Sequence, residues 1–154
     1  MGKITLPPVV QEADPQHPIL GSGTGAYAYQ LLSDPDGLTQ FGAFIETLPP
    51  GSRSGHRHWH ETEDEMVYVL SGEVVLVEDA EEILHPGDAV CWPAGQAVGH
   101  RLDNRSDASA CYLVIGARQV TDIIYYSDHD LITHKNGTAR RYLRSDGTEH
   151  RRTP

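Results

Sequence analysis

The 154-residue sequence is short of several things, and each shortage excludes a class of protein. It has only two cysteines, Cys91 and Cys111, with no Cys-x-x-Cys pair. Both sit in strand-like apolar sequence, so they read as small core hydrophobes in a reducing compartment and not as a disulfide framework. No apolar run approaches the length of a membrane span, and the N-terminus has no charged-then-apolar leader. A cytoplasmic protein without a membrane partner is expected. Basic residues are scarce as well: 12 Lys and Arg against 22 Asp and Glu give a formal net charge of −10. That balance argues against nucleic acid as a partner, because neutralising phosphates requires Lys and Arg. Between Arg57 and Arg101 there is no cationic Lys or Arg at all. A sustained 3.6-residue apolar period is also missing, which predicts little helix.

What is present is a rhythm of short apolar segments separated by turn residues. Ala26 to Leu32, Leu38 to Leu48, Glu65 to Leu70, Glu73 to Val77, Glu82 to Leu84, Ala89 to Trp92, Val98 to Leu102, Ser109 to Arg118 and Ile123 to Tyr126 all read as strands. Their spacing predicts an all-β sandwich or barrel over residues 26–127. Residues 1–25, rich in Pro and Gly, read as an irregular N-terminal arm. Residues 128–154 read as a polar, basic C-terminal tail, with Lys135, Arg140, Arg141, Arg144, Arg151 and Arg152 supplying half of the basic residues.

The stretch His56-Arg57-His58-Trp59-His60-Glu61-Thr62-Glu63-Asp64-Glu65 stands apart. In a strand, residues two apart share a face, so His56, His58 and His60 project into one space. Imidazole is the commonest side-chain metal ligand, and three on one face form a metal signal. The acidic residues 61–64 are too polar for a buried strand, which suggests a hairpin with His58 and His60 on one arm and Glu65 opening the other. Glu63 repeats the same local spacing from His56 and His58. It lies in the polar turn, where water can solvate it; Glu65 opens an apolar strand, where an unpaired carboxylate is costly.

These residues resemble a known family. His58-x-His60-x4-Glu65-x6-Gly72 is similar to the first motif of the cupin superfamily, and Gly87 to Gly95 followed by His100-x3-Asn104 is similar to the second. Six residues instead of five separate Gly51 from His58, and four instead of two separate Gly95 from His100. The resemblance covers about residues 38–117. It implies a cupin-type double-stranded β-helix, the jelly-roll barrel, and a metal site made of His58, His60, Glu65 and His100.

Such a ligand set holds one divalent transition metal per chain, with Zn, Fe, Ni, Mn and Cu all compatible with mixed nitrogen and oxygen donors. One carboxylate leaves the site about one net positive charge, suited to an anionic or oxygen-rich small molecule. His56 is a candidate general base or substrate-binding group. Three functions fit: a non-redox isomerase, epimerase or lyase acting on a small sugar-like or anionic molecule, which the resemblance favours; an iron-dependent dioxygenase; or a non-enzymatic small-molecule sensor. Finally, Met66, Tyr68 and Leu70 alternate with Val67 and Val69, so this strand is apolar on both faces. Its outward face predicts a homodimer.

Overall fold

The structure is a computed structural model that describes residues 2–151. Thirteen strands follow one another in the order β1 (Val10–Glu12), β2 (Tyr27–Leu31), β3 (Phe41–Leu48), β4 (His58–His60), β5 (Glu65–Ser71), β6 (Val74–Val77), β7 (Glu81–Leu84), β8 (Ala89–Trp92), β9 (Arg101–Asp103), β10 (Ala110–Ala117), β11 (Thr121–Tyr126), β12 (Leu131–Asn136) and β13 (Ala139–Leu143). Among the described residues there is no helix. The fold is the all-β jelly-roll barrel that the motifs imply.

Three antiparallel sheets build it. The largest runs β1-β2-β3-β10-β5-β8, the second β13-β12-β11-β4 and the third β7-β6-β9. Period-two alternation decides which side chains meet inside. On β5, Val67 and Val69 are buried, and they join Leu48 of β3, Tyr112 and Val114 of β10, and Val74 and Leu76 of β6 in one core with Trp92 and Leu102. Glu65 shares the inward parity of Val67 and pairs with Gly116 of β10, which places its carboxylate at the end of that apolar wall.

Two motif residues have structural duties. Gly72 closes the turn between β5 and β6 with φ of 75°, and a Cβ there would stand 2.7 Å from Ala110 Cα, so only glycine fits. The amide of Asn104, 1% exposed, donates to the carbonyls of Leu48 and Ala108 and accepts from the backbone and hydroxyl of Ser106. All of its hydrogen-bonding capacity is spent on tying two loops together.

Four expectations need correction. The histidine strand forms no hairpin with β5: β4 pairs with β11 through His58↔Tyr126 and His60↔Ile124, and His58 also bridges His100. A two-stranded hairpin would leave the outer edge of β4 unpaired, whereas β11 and the His100 segment satisfy both of its edges. The stretch 128–154 is not simply a tail, since β12 and β13 extend the same sheet from β11. Leu131 and Thr133 are its buried positions, too few apolar residues to announce a strand. Residues 152–154 lie outside the described residues. The arm of residues 1–25 includes β1, paired with β2. Neither cysteine belongs to the core: Cys91 is exposed and Cys111 half-buried, because both have the outward parity of their strands.

Candidate functional site

Histidine tautomers define the site. On β4, His58 Nδ1 lies 2.7 Å from the carbonyl of His56; on the loop before β9, His100 Nδ1 lies 3.1 Å from the carbonyl of Val98. A carbonyl only accepts, so in each ring Nδ1 carries the hydrogen and Nε2 keeps a bare lone pair. His60 repeats the arrangement with a carboxylate, Nδ1 lying 2.6 Å from Asp122 Oδ2. That aspartate is buried on β11 and is fixed in turn by the backbone and hydroxyl of Thr62. Burial pushes the Asp122 carboxyl up, but the bonds from His60 and Thr62 hold it below the ordinary range.

The bare nitrogens face one carboxylate. Glu65 Oε2 is 3.4 Å from His100 Nε2 and 3.9 Å from His60 Nε2, and a ligand atom each from His58, His60 and Glu65 lie within 4.8 Å of one another. His58 and His60 ring centroids are 5.1 Å apart, those of His58 and His100 5.5 Å. Trp92 stacks on His100 at 3.7 Å with an 8° interplanar angle and prevents the ring from turning away. Burial and the neighbouring His60 lower the His58 pKa to about 4, so that ring is neutral. Neutral imidazole lone pairs aimed at a carboxylate oxygen repel it unless a cation lies between them. This donor set of imidazoles and one carboxylate, each imidazole oriented through its second nitrogen, suits a first-row divalent ion.

Sequence parity thus brings His58 and His60 together, and with them Glu65 and His100. Glu63 lies on the opposite side of His60, 3.6 Å from Nδ1, and it is not solvated: its side chain is 12% exposed and pairs with Lys135 Nζ. The expectation that water solvates Glu63 is therefore overturned, because β12 delivers a cation to it. His60, Glu63 and Asp122 also cluster, but Lys135 and Thr62 already satisfy these carboxylates, so the cluster orients His60. Arg57 and Trp59 point away from the site as parity requires, Trp59 stacking on Tyr125 at 4.2 Å and Arg57 bonding Asp79.

His56 is outside the ligand cluster. It lines an adjoining cavity of about 340 Å³ together with His17, Tyr27, Glu46, His58 and Tyr126. Its ring meets His129 at 5.2 Å and His17 at 6.0 Å, and its Nε2 is buried without a hydrogen-bond partner. Burial first, then the charges of His129, Arg101 and Arg53, lower its pKa. His17 Nδ1 accepts from the backbone N–H of Ile19 and Leu20, so its Nε2–H donates to Tyr126 Oη at 3.1 Å. Through His17, residues 15–18 form one wall of the cavity.

Sequence reasoning missed Glu46 and Asp122. Glu46, on β3, is 8% exposed and accepts a hydrogen bond from the buried phenol of Tyr112, its partner in register on β10. Burial raises its pKa to about 7; the Tyr112 bond opposes this and the Glu65 charge adds to it. The signal was available: Glu46 is a lone carboxylate at inward parity in an otherwise apolar strand. Asp122 gave no comparable sign, being 62 residues from His60 and recognisable only once β11 pairs with β4.

Comparisons with known proteins agree with this architecture. Residues 44–116 match the family of cupin domains. A sugar phosphate isomerase of the cupin superfamily from Silicibacter pomeroyi is 36% identical, with a TM-score of 0.86 over 93% of this chain and 92% of that one. A proposed sugar phosphate isomerase from Acidithiobacillus ferrooxidans is 28% identical, with a TM-score of 0.73 over 82% of each chain. A polyketide cyclase from Streptomyces resistomycificus shares the fold alone, at 22% identity and a TM-score of 0.59 over 77% and 80%. No curated protein matches the chain. The barrel, its two motifs and a 36% identical relative spanning nearly the whole chain make this protein a member of the cupin superfamily.

Proposed function

We propose that the protein is a metal-dependent isomerase, or an epimerase or lyase of the same proton-moving kind, acting on a small phosphorylated or otherwise anionic sugar. His58, His60, Glu65 and His100 would hold the ion, which supplies a Lewis acid for a bound carbonyl or hydroxyl. The observation that carries this reading is the convergence of three bare imidazole nitrogens on Glu65, with each imidazole locked by its Nδ1 bond. The likeness to two structures described as sugar phosphate isomerases supports the substrate class. So does the positive charge that Arg53 and Arg101, the latter paired with Asp103 and Asp128, exert on His56. Arg53 is exposed and, among the described residues, makes no side-chain hydrogen bond or ion pair, its charge acting on Asp103 and His56.

The test is turnover by metal-loaded protein on a panel of three- to six-carbon aldose and ketose phosphates, followed by NMR, with dissolved oxygen monitored. Interconversion without oxygen uptake, abolished by chelator and restored by one metal, is the expected result. Oxygen uptake coupled to substrate loss would instead identify a dioxygenase. Binding without conversion would identify a sensor.

The proposal extends to a homodimer. Met66, Tyr68 and Leu70 of β5 face outward beside Leu113 and Ile115 of β10 and Cys91 of β8, with Tyr68 and Leu70 about 40% exposed. A second copy of this self-complementary apolar face would cover it. Sedimentation should show a dimer at micromolar concentration, and a monomer there removes the proposal.

A further inference from the structure

We infer that Glu46 is a catalytic residue of this site, the acid and base that carries a proton between neighbouring carbons of the substrate. The inference rests on the isomerase reading and adds the group that moves the proton. Its first support is position. Glu46 lines the same cavity as His58 and the unpartnered His56 Nε2, so a molecule that fills this cavity from His58 can reach its carboxyl. The second is hydrogen bonding: Tyr112 is the only group bonded to the Glu46 carboxyl among the described residues, and it engages Oε1. The other oxygen is left for a ligand.

Stability gives no reason for a carboxyl here. Its neighbours on the inner wall are apolar, Leu48 on β3 and Val114 on β10, and an uncharged side chain would pack there without the cost of burying an ionisable group. Tyr112, a donor 1% exposed, is the one provision made for it and fixes its orientation. Tyr27 from β2, Glu65 from β5, His58 and His56 from the β4 side, His17 from the N-terminal arm and Tyr126 from β11 are the other titratable groups around it or its cavity. With a pKa raised to about 7, the carboxyl is present in both forms near neutral pH, as a group that must first take and then return a proton requires.

The step balances without an oxidant. The Glu46 carboxylate takes the proton from the hydroxyl-bearing carbon next to the substrate carbonyl. The C–H electron pair becomes the carbon–carbon double bond of an enediolate, and the carbonyl π pair moves to its oxygen. Glu46 then returns its proton to the former carbonyl carbon, and the hydroxyl proton passes between the two substrate oxygens. One C–H bond breaks and one forms.

The test compares wild type, Glu46→Gln and Glu46→Asp, all metal-loaded, on the panel of sugar phosphates in D2O. Metal content, kcat, KM and deuterium incorporation at the exchanging carbon are measured. Glu46→Gln should keep its metal and its KM within about threefold while kcat and deuterium incorporation fall by at least about a hundredfold. Glu46→Asp should recover part of the lost kcat, which also covers the case of a glutamine variant that fails to fold. Full turnover in a metal-loaded Glu46→Gln protein, or in the event of misfolding no deficit in Glu46→Asp, overturns the inference alone. A wild type that holds metal and converts nothing overturns the isomerase reading, and this inference with it.

Discussion

Glu65 and Glu46 are two carboxylates inside one barrel, and their surroundings push them in opposite directions. Burial raises both. At Glu65 the contact with His100 and the positive charge that protonation of His58, His100 or His60 brings more than reverse it, leaving a carboxylate below the ordinary range. At Glu46 the only compensating partner is a neutral phenol, and the pKa stays at about 7. On the proposed reading, two groups of the same chemical type would be divided between an ion-holding role and a proton-carrying role, and the division would be made by whether the facing side chains are imidazoles or a tyrosine. The pKa of a buried group reports the company it keeps more than the depth at which it lies.

The comparison can be broken most severely at Glu65. Glu65→Gln removes the only anion among the four donors, and metal affinity measured by competition with a chelator should fall by more than about a hundredfold. Unchanged affinity would remove Glu65 from the site. Next in size is the pH dependence that Glu46 imposes on folding. Its folded pKa of about 7 lies above the ordinary 4.5. Below 4.5 both states hold the proton; between 4.5 and 7 only the folded state does, so stability is lost as pH rises through that window. In chelated protein, denaturant unfolding of wild type relative to Glu46→Gln should shift by about 3 kcal/mol between pH 4.5 and pH 8, with the wild type losing. A constant difference would mean that the Glu46 pKa is ordinary.

Smaller effects sharpen the orientation of His60. Asp122→Asn keeps the shape but turns an acceptor of the His60 hydrogen bond into an ambiguous partner, and such changes weaken metal binding by about 10–100-fold. Glu63→Gln, on the same side of His60 but already paired with Lys135, should leave affinity within about twofold. Chelator competition on the two variants giving the reverse order would show that Glu63, not Asp122, holds the imidazole.

Much of the fold was legible because alternation is a local property. Val67 and Val69 inward, and Met66, Tyr68 and Leu70 outward, follow from the two-residue period alone, and β8 at Ala89–Trp92 stands where the turn residues on either side of it predict. The polar stretch 61–64 suggested a hairpin because a turn between two strands was the simplest local reading. The chain instead leaves β4 in one sheet and enters β5 in another. In β12 the inward positions are filled by Leu131 and Thr133, and a threonine among basic residues carries no apolar signal until β11 lies beside it.

The sequence by itself determined the all-β class, the two motifs and the shared face of His58 and His60, since each depends on spacing along one chain. Only the tertiary structure decided the rest. Strand pairing brings Asp122 to His60 and Tyr112 to Glu46 across separations of 62 and 66 residues. Those pairings set which imidazole nitrogen is bare and which carboxyl has its pKa raised. Hydrogen bonding and desolvation act over a few ångströms of space, and spacing along the chain does not encode that proximity.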